Sequence, residues 1–301
     1  MIRKIIFLFL VTTSVLTAQS DMTKGFGLLE QGNFQEAELF FGEYLKEDPN
    51  NKTAKLCYGR AVGLSGEPKK TTNLFSELLK EYPGDFEILI NYNESFLWAK
   101  EYEQTKPLYA DLVEQFPEKF GAVLGYANTL SNLKEYKSAL SWVEKAIALQ
   151  PENESAKISR KFMRLGYANS FVNNQQYKKG EQTLKKVFED FPNDKDVLLN
   201  LANLYLIIKQ GDKAKNMYAR YATNQKDSIT ALNGIALAEH INENDKEALR
   251  ISKTATVKVD QIDDVPLTES TYDRYVQALI WNRKFMTAKK KIDSLEVHYQ
   301  N

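Results

Sequence analysis

Residues 117–151 read PEKFGAVLGYANTLSNLKEYKSALSWVEKAIALQP, a proline at each end and two helical patterns between them. In the first half Val123, Tyr126, Ala127 and Leu130 share one helical face, and in the second Ala139, Val143 and Ala146 do the same, as a 3.6-residue period requires. Small residues at Ala127 and Ala139 let two helices approach closely, and aromatic Tyr136 opens the second. A helix pair of this size cannot bury its apolar surface alone, so it needs like neighbours on either side.

The neighbours are present. Pro49, Pro83, Pro117 and Pro151 are spaced 34, 34 and 34 apart, each stopping a second helix and beginning the turn to the next pair. With each proline at position 32, four repeats start at Ala18, Lys52, Phe86 and Phe120. Pro192 arrives 41 residues after Pro151, so seven residues are inserted and the next repeats start at Lys161, Lys195 and Ile229. A further six-residue insertion, Asp263–Thr268, places the eighth at Glu269.

Columns that played no part in setting this register support it. Position 8 is filled by Gly25, Gly59, Asn93, Ala127, Ala168, Ala202, Ala236 and Val276, and position 20 by Ala37, Thr71, Thr105, Ala139, Gly180, Ala214, Ala248 and Ala288. Position 24 is bulky from Phe41 and Phe75 through Tyr109, Val143, Leu184 and Tyr218 to Ile292, and fails only at Ser252. The chain therefore resembles the tetratricopeptide-repeat (TPR) family over nearly everything after residue 18. That resemblance implies an all-α fold, a right-handed α-α superhelix (solenoid) of about eight helix-turn-helix repeats. Its parts are repeats 1–4 at 19–153, a helix-lengthening insertion at 154–160, repeats 5–7 at 161–262, a linker insertion at 263–268 and repeat 8 at 269–301. Pro107, inside a second helix, predicts a late start or a kink there. The β-branched run Thr254 to Val259 predicts a helix that ends early.

Ahead of the repeats, Arg3 and Lys4 precede the apolar run Ile5 to Leu16 and the small pair Thr17-Ala18, the pattern of a secretory signal peptide cleaved after residue 18. The run is shorter than the roughly 20 residues that span a bilayer. The expected product is exported to the periplasm or the periplasmic face of an outer membrane, with no membrane span after cleavage.

Composition excludes several classes of function. The 301 residues carry 40 Lys+Arg and 40 Asp+Glu, so the chain as a whole lacks the basic excess that nucleic-acid binding needs. Cys57 is the single cysteine and His240 and His298 the two histidines, too few for a disulfide framework or a zinc site. Cys57 reads as a small buried hydrophobe. No phosphate loop, dinucleotide fingerprint or nucleophile elbow occurs, so the expectation is a protein that is not an enzyme and needs no cofactor or metal.

In TPR proteins the first helices line a concave surface into which positions 2, 5, 9 and 12 point. Position 9 here holds Phe26, Arg60, Glu94, Asn128, Asn169, Asn203, Leu237 and Gln277. An amide carries donor and acceptor together, so Asn128, Asn169 and Asn203 read either as a ladder for the backbone of an extended peptide or as ordinary polar residues on exposed helices. TPR domains that clamp a C-terminal carboxylate combine Lys at position 5 with Asn at position 9. Position 5 here is apolar from Met22 to Leu199, then Asn233 and Asp273, which argues against that clamp. Trp98 and Trp281 read as partner anchors or as packing between repeats.

The seven-residue insertion adds about 10 Å of helical rise. On it and the following turn Lys157, Arg160, Lys161 and Arg164 are spaced i, i+3, i+4, i+7, a basic stripe on one face. Between Lys157 and Lys186 eight basic residues oppose Glu181 alone, a local charge of +7. The stripe reads as a solvated face or as a site for an anionic partner. Two functions follow. The first is a protein–protein scaffold in the cell envelope that binds a partner in its groove; the second is an accessory of exopolysaccharide secretion that binds acidic glycan on the stripe.

Overall fold

The computed structural model describes residues 22–299, with side chains to residue 295. The proposed signal segment lies outside the described residues, as does the side chain of His298. Sixteen α-helices, and no strand, make up the described residues. The first helices of the repeats are α1 (Thr23–Gln31), α3 (Lys52–Leu64), α5 (Phe86–Trp98), α7 (Phe120–Asn132), α9 (Glu154–Asn173), α11 (Lys195–Ile207), α13 (Gln225–Ile241) and α15 (Val265–Trp281). The second helices are α2 (Phe34–Glu47), α4 (Pro68–Glu81), α6 (Tyr102–Gln115), α8 (Tyr136–Leu149), α10 (Tyr177–Asp190), α12 (Gly211–Tyr221), α14 (Asp245–Val259) and α16 (Phe285–Tyr299). The chain forms two compact units, one closing at Arg160 and the other opening at Lys161. The boundary falls inside α9.

Local chemistry sets the helix ends. Asn51, Asp85, Asn153, Asp194, Asn224 and Asp264 each accept a backbone N–H from the first turn of the helix that follows, a cap worth about 1 kcal/mol. Each turn from first to second helix is closed by a residue with positive φ, at Gly32, Gly66, Lys100, Lys134, Gln175, Lys209, Glu243 and Arg283. At Lys134 the geometry is a Schellman pair: Glu135 N–H bonds to Leu130 C=O and Lys134 N–H to Ser131 C=O, both at 2.9 Å. The eight positions recur every 34 residues, interrupted by one step of 41 and one of 40. The backbone thus reports the same register as the prolines by an independent route.

Three local expectations are corrected. Helix α6 begins on time at Tyr102 and runs through Pro107 to Gln115. Pro107 is exposed, so water can satisfy the Glu103 carbonyl that loses its partner. Helix α14 does not end early but continues to Val259, because Ala255, Thr256 and Val259 are buried and packing outweighs the weak helix preference of β-branched residues. The insertion read as a linker is largely helical: Val265 to Thr268 form the first turn of α15, capped by Asp264 with Pro266 beside the start. Helix α9 has 20 residues against 13 in α3, α5, α7 and α11, seven more.

Within each unit consecutive first helices touch one another: α1–α3, α3–α5 and α5–α7 in the first, α11–α13 and α13–α15 in the second. Within each unit the described second helices show no comparable backbone approach to one another, although Lys70 on α4 reaches Glu38 on α2 at 3.4 Å, so the first helices form the inner, more crowded row. Position 24 of the second helices is buried in repeats 1–7, while Ile292 in repeat 8 is exposed. Phe41, Phe75, Val143 and Leu184 are fully buried, Tyr109 and Tyr218 nearly so, each stabilising by about 1.5–3 kcal/mol.

The two tyrosines need room, and the next repeat supplies it. A Cβ on Gly125 would lie 2.2 Å from the Tyr109 ring, and one on Gly234 would lie 2.1 Å from the Tyr218 ring. Both glycines occupy position 6 of the following repeat.

Candidate inner-face binding site

In the first unit, position 9 brings Arg60, Glu94 and Asn128 onto three successive first helices, α3, α5 and α7. None of the three side chains makes a hydrogen bond or ion pair with another described residue. Arg60 is exposed, whereas Glu94 and Asn128 are partly buried. Desolvation raises the Glu94 carboxyl above its ordinary pKa, and the Arg60 charge opposes that rise. Behind the row, Tyr109 is pushed well above the usual phenol range by burial, with the Glu94 charge adding to it. The row therefore presents a cationic donor, a carboxyl group and an amide that is both donor and acceptor, none of them committed internally.

In the second unit the amides are used differently. Asn169 is exposed and unbonded. Asn203 is also exposed, yet its Oδ1 accepts a 2.6 Å hydrogen bond from the Tyr218 hydroxyl. Gln277 Oε1 accepts a 2.6 Å bond from Arg274. The three asparagines of the sequence pattern are thus not equivalent. The signal that separates Asn203 was present in the sequence, in tyrosine at position 24 of its repeat followed by glycine at position 6 of the next.

Position 5 is mainly packing: Met22, Leu56 and Leu165 are buried, Ile90, Leu124 and Leu199 partly so. Both tryptophans considered as anchors pack against neighbouring helices. The Trp98 ring fills the space where a Cβ on Gly63 would stand, 2.5 Å away. Trp281 stacks on His240 at 3.8 Å between ring centroids, and His240 Nδ1 lies 2.6 Å from Asp245. Cys57 is buried and its thiol is pushed up to about 11 by desolvation, which leaves it unreactive.

The basic stripe is neither a solvated face nor a free cationic one. Lys157 lies 3.1 Å from Glu154 and Arg160 3.4 Å from Glu144. Arg164 lies 2.7 Å from Asp190. Lys161 is only 6% exposed and meets Asp194 at 2.7 Å and Asp196 at 3.1 Å. The count of +7 overlooked carboxylates that lie outside the window in sequence but next to it in space, so the acidic-glycan reading loses its basis. Lys161–Asp194 belongs instead to a set of pairs that join successive first helices, with Lys52–Asp85 at 2.6 Å, Lys226–Asp264 at 2.8 Å, and Lys195–Asp227. Among the described residues no cluster of three potential metal ligands occurs, and no helix is long and apolar enough to cross a membrane.

Comparison with known proteins agrees with this geometry. Two family models, both described as tetratricopeptide repeat, match residues 122–153 and 171–236. No curated protein matches the sequence. The crystal structure of a tetratricopeptide repeat protein from Parabacteroides merdae is similar at 14% identity and a TM-score of 0.52, covering 84% of this chain and 98% of that one. Yeast Tom70 is similar at 16% identity and a TM-score of 0.52, covering 95% of this chain and 61% of that one. At these identities the likeness is one of fold.

Proposed function

Since this chain is a tetratricopeptide-repeat protein, we propose that it is a non-catalytic scaffold that holds an extended segment of a partner protein against its inner faces. The observation that carries this reading is the row Arg60, Glu94 and Asn128. Polar side chains in adjacent repeats, two of them partly desolvated and none with an internal partner, have unmet hydrogen-bonding capacity that a peptide backbone can fill. Asn169 offers a further free amide in the second unit, whereas Asn203 has only its N–H groups left to give. The test is affinity capture from native extract with the wild-type chain and with an Arg60→Ala/Glu94→Ala/Asn128→Ala variant. Loss of the recovered partner supports the assignment, and undiminished recovery overturns it.

The location proposed is the cell envelope, supported by the charged start, apolar run and small residues of positions 1–18. Mass spectrometry of the native protein decides it. A mature chain beginning at Gln19 in the periplasmic fraction is expected, and an intact Met1 in the cytosol would overturn it.

A further inference from the structure

The junctions between repeats obey a register that repeat 8 leaves unfilled. Position 24 of one repeat lies against position 6 of the next, as Phe41 does with Cys57, Tyr109 with Gly125 and Tyr218 with Gly234. Its counterpart in repeat 8, Ile292, is 40% exposed. Position 21 reaches the next repeat as well. Glu38 meets Ser65 at 2.9 Å and Lys70 at 3.4 Å, Thr72 meets Ser95 at 2.8 Å, Lys106 meets Glu135 at 2.6 Å and Lys215 meets Glu239 at 2.8 Å. In repeat 8 this position is Lys289, exposed and without an ion pair among the described residues. An apolar side chain and a charge that elsewhere complete a junction therefore stand open on α16.

Repeat 1 carries the matching half. Its position 6 is Thr23 and its position 19 is Glu36, both exposed. Thr23 is close in size to Cys57, which takes the same place beside Phe41, so it leaves room for Ile292. Position 19 matters because Lys70, the partner of Glu38, occupies it in repeat 2. A repeat 1 placed after repeat 8 in the same register would bring Glu36 to Lys289 as Lys70 comes to Glu38, with the signs reversed. The surroundings agree in charge. Positions 13–24 of repeat 8, Trp281 to Ile292, hold five cations and no carboxylate, whereas the same positions of repeat 1, Glu30 to Phe41, hold three carboxylates and no cation. Unlike the stripe on α9, these charges are not cancelled across repeats: Lys284, Lys289 and Lys290 on one side and Glu30 and Glu36 on the other are exposed and form no ion pair among the described residues.

We propose that repeat 1 of a second copy of this chain stacks on α16, so that chains associate head to tail. Such an interface is heterologous, joining two different surfaces, and each added copy leaves a new open end. Covering Ile292 supplies apolar burial, and the opposite charges fix which end meets which.

Sedimentation equilibrium of the purified protein at low salt tests this. The weight-average mass of the wild-type chain should rise above that of the monomer between about 1 and 100 µM. Lys289→Glu and Glu36→Lys each set like charges against one another and should weaken association about fivefold. An equal mixture of the two variants should recover it, because opposite charges then meet at every mixed junction. Ile292→Asp should leave a monomer. Leu39→Asp is the control: Leu39 is 71% exposed but stands at position 22, where Pro107 and Ser141 face solvent inside the array, so association should be unchanged. Unchanged melting by circular dichroism verifies that each variant folds. A wild-type mass that stays at the monomer value overturns the proposal. So do single charge variants that associate like the wild type, a mixture that does not recover, or a Leu39→Asp effect as large as that of Ile292→Asp.

Discussion

Substituting Gly125 by alanine isolates the packing rule that holds successive repeats together. In a helix interior Gly→Ala is normally stabilising by about 1 kcal/mol, because glycine has more backbone freedom to lose. At Gly125 the new Cβ would stand 2.2 Å from Tyr109 Cε1, 2.4 Å from Cζ and 2.7 Å from the hydroxyl oxygen. Tyr109 is 1% exposed, so its ring has nowhere to retreat and the two repeats must part. Overpacking of this kind costs about 1–3 kcal/mol beyond any propensity gain. Gly42, inside α2, is the control: its added Cβ meets only Tyr58, at an ordinary 3.5 Å. Urea unfolding followed by circular dichroism, with hydrogen exchange to localise the loss, should find Gly125→Ala destabilised and Gly42→Ala unchanged or stabilised. Trimming the ring in Tyr109→Val, the residue that repeat 4 carries at this position as Val143, should make the Gly125→Ala change tolerable, a coupling visible in a double-mutant cycle. A Gly125→Ala chain as stable as the wild type would refute the close-approach argument.

Other perturbations follow from the same geometry. Lys134 sits at φ 63°, a region that costs a non-glycine residue about 1–2 kcal/mol, so Lys134→Gly should stabilise its repeat by about 0.5–1 kcal/mol in urea unfolding once the entropy of glycine is deducted. Lys161→Met leaves Asp194 and Asp196 without their cation and should cost about 1–3 kcal/mol by the same assay. Burial alone would raise the Asp85 carboxyl, but the bonds from Lys52 and from the Ile88 and Glu87 N–H groups hold it below its unfolded value of 3.8. That stabilisation is complete above pH 3.8 and is lost as pH falls through the lower folded value. A deficit of Lys52→Met at neutral pH should therefore shrink progressively as pH is lowered below 3.8. Native Cys57 should resist a thiol reagent at pH 8 and react stoichiometrically once unfolded, as read by absorbance.

The sequence was most informative where one residue type has one physical meaning. Proline disfavours the helix interior, so Pro49, Pro83, Pro117, Pro151 and Pro192 marked the turns by their spacing, whereas Pro107 sits inside α6. The left-handed turn residues repeat just as regularly but were hidden, because six of the eight are Lys, Gln, Glu or Arg instead of glycine. Helix α12 stops at Tyr221, and α13 begins at Gln225, four residues before the repeat boundary; no proline stands there to mark the end. The site was harder to read because pairing lies across repeats. Lys161 looks like a surface cation until Asp194, 33 residues away, closes over it. Asn203 looks like Asn169 until Tyr218 occupies its oxygen.

The central claim is that the partner lies on the inner row of first helices. Site-specific photo-crosslinking tests it directly, with a benzoylphenylalanine placed in turn at Asn128 on α7 and at the exposed Ser141 on α8. Adducts with the partner from position 128 and none from position 141 are predicted. Adducts from position 141 with none from position 128 would contradict the account.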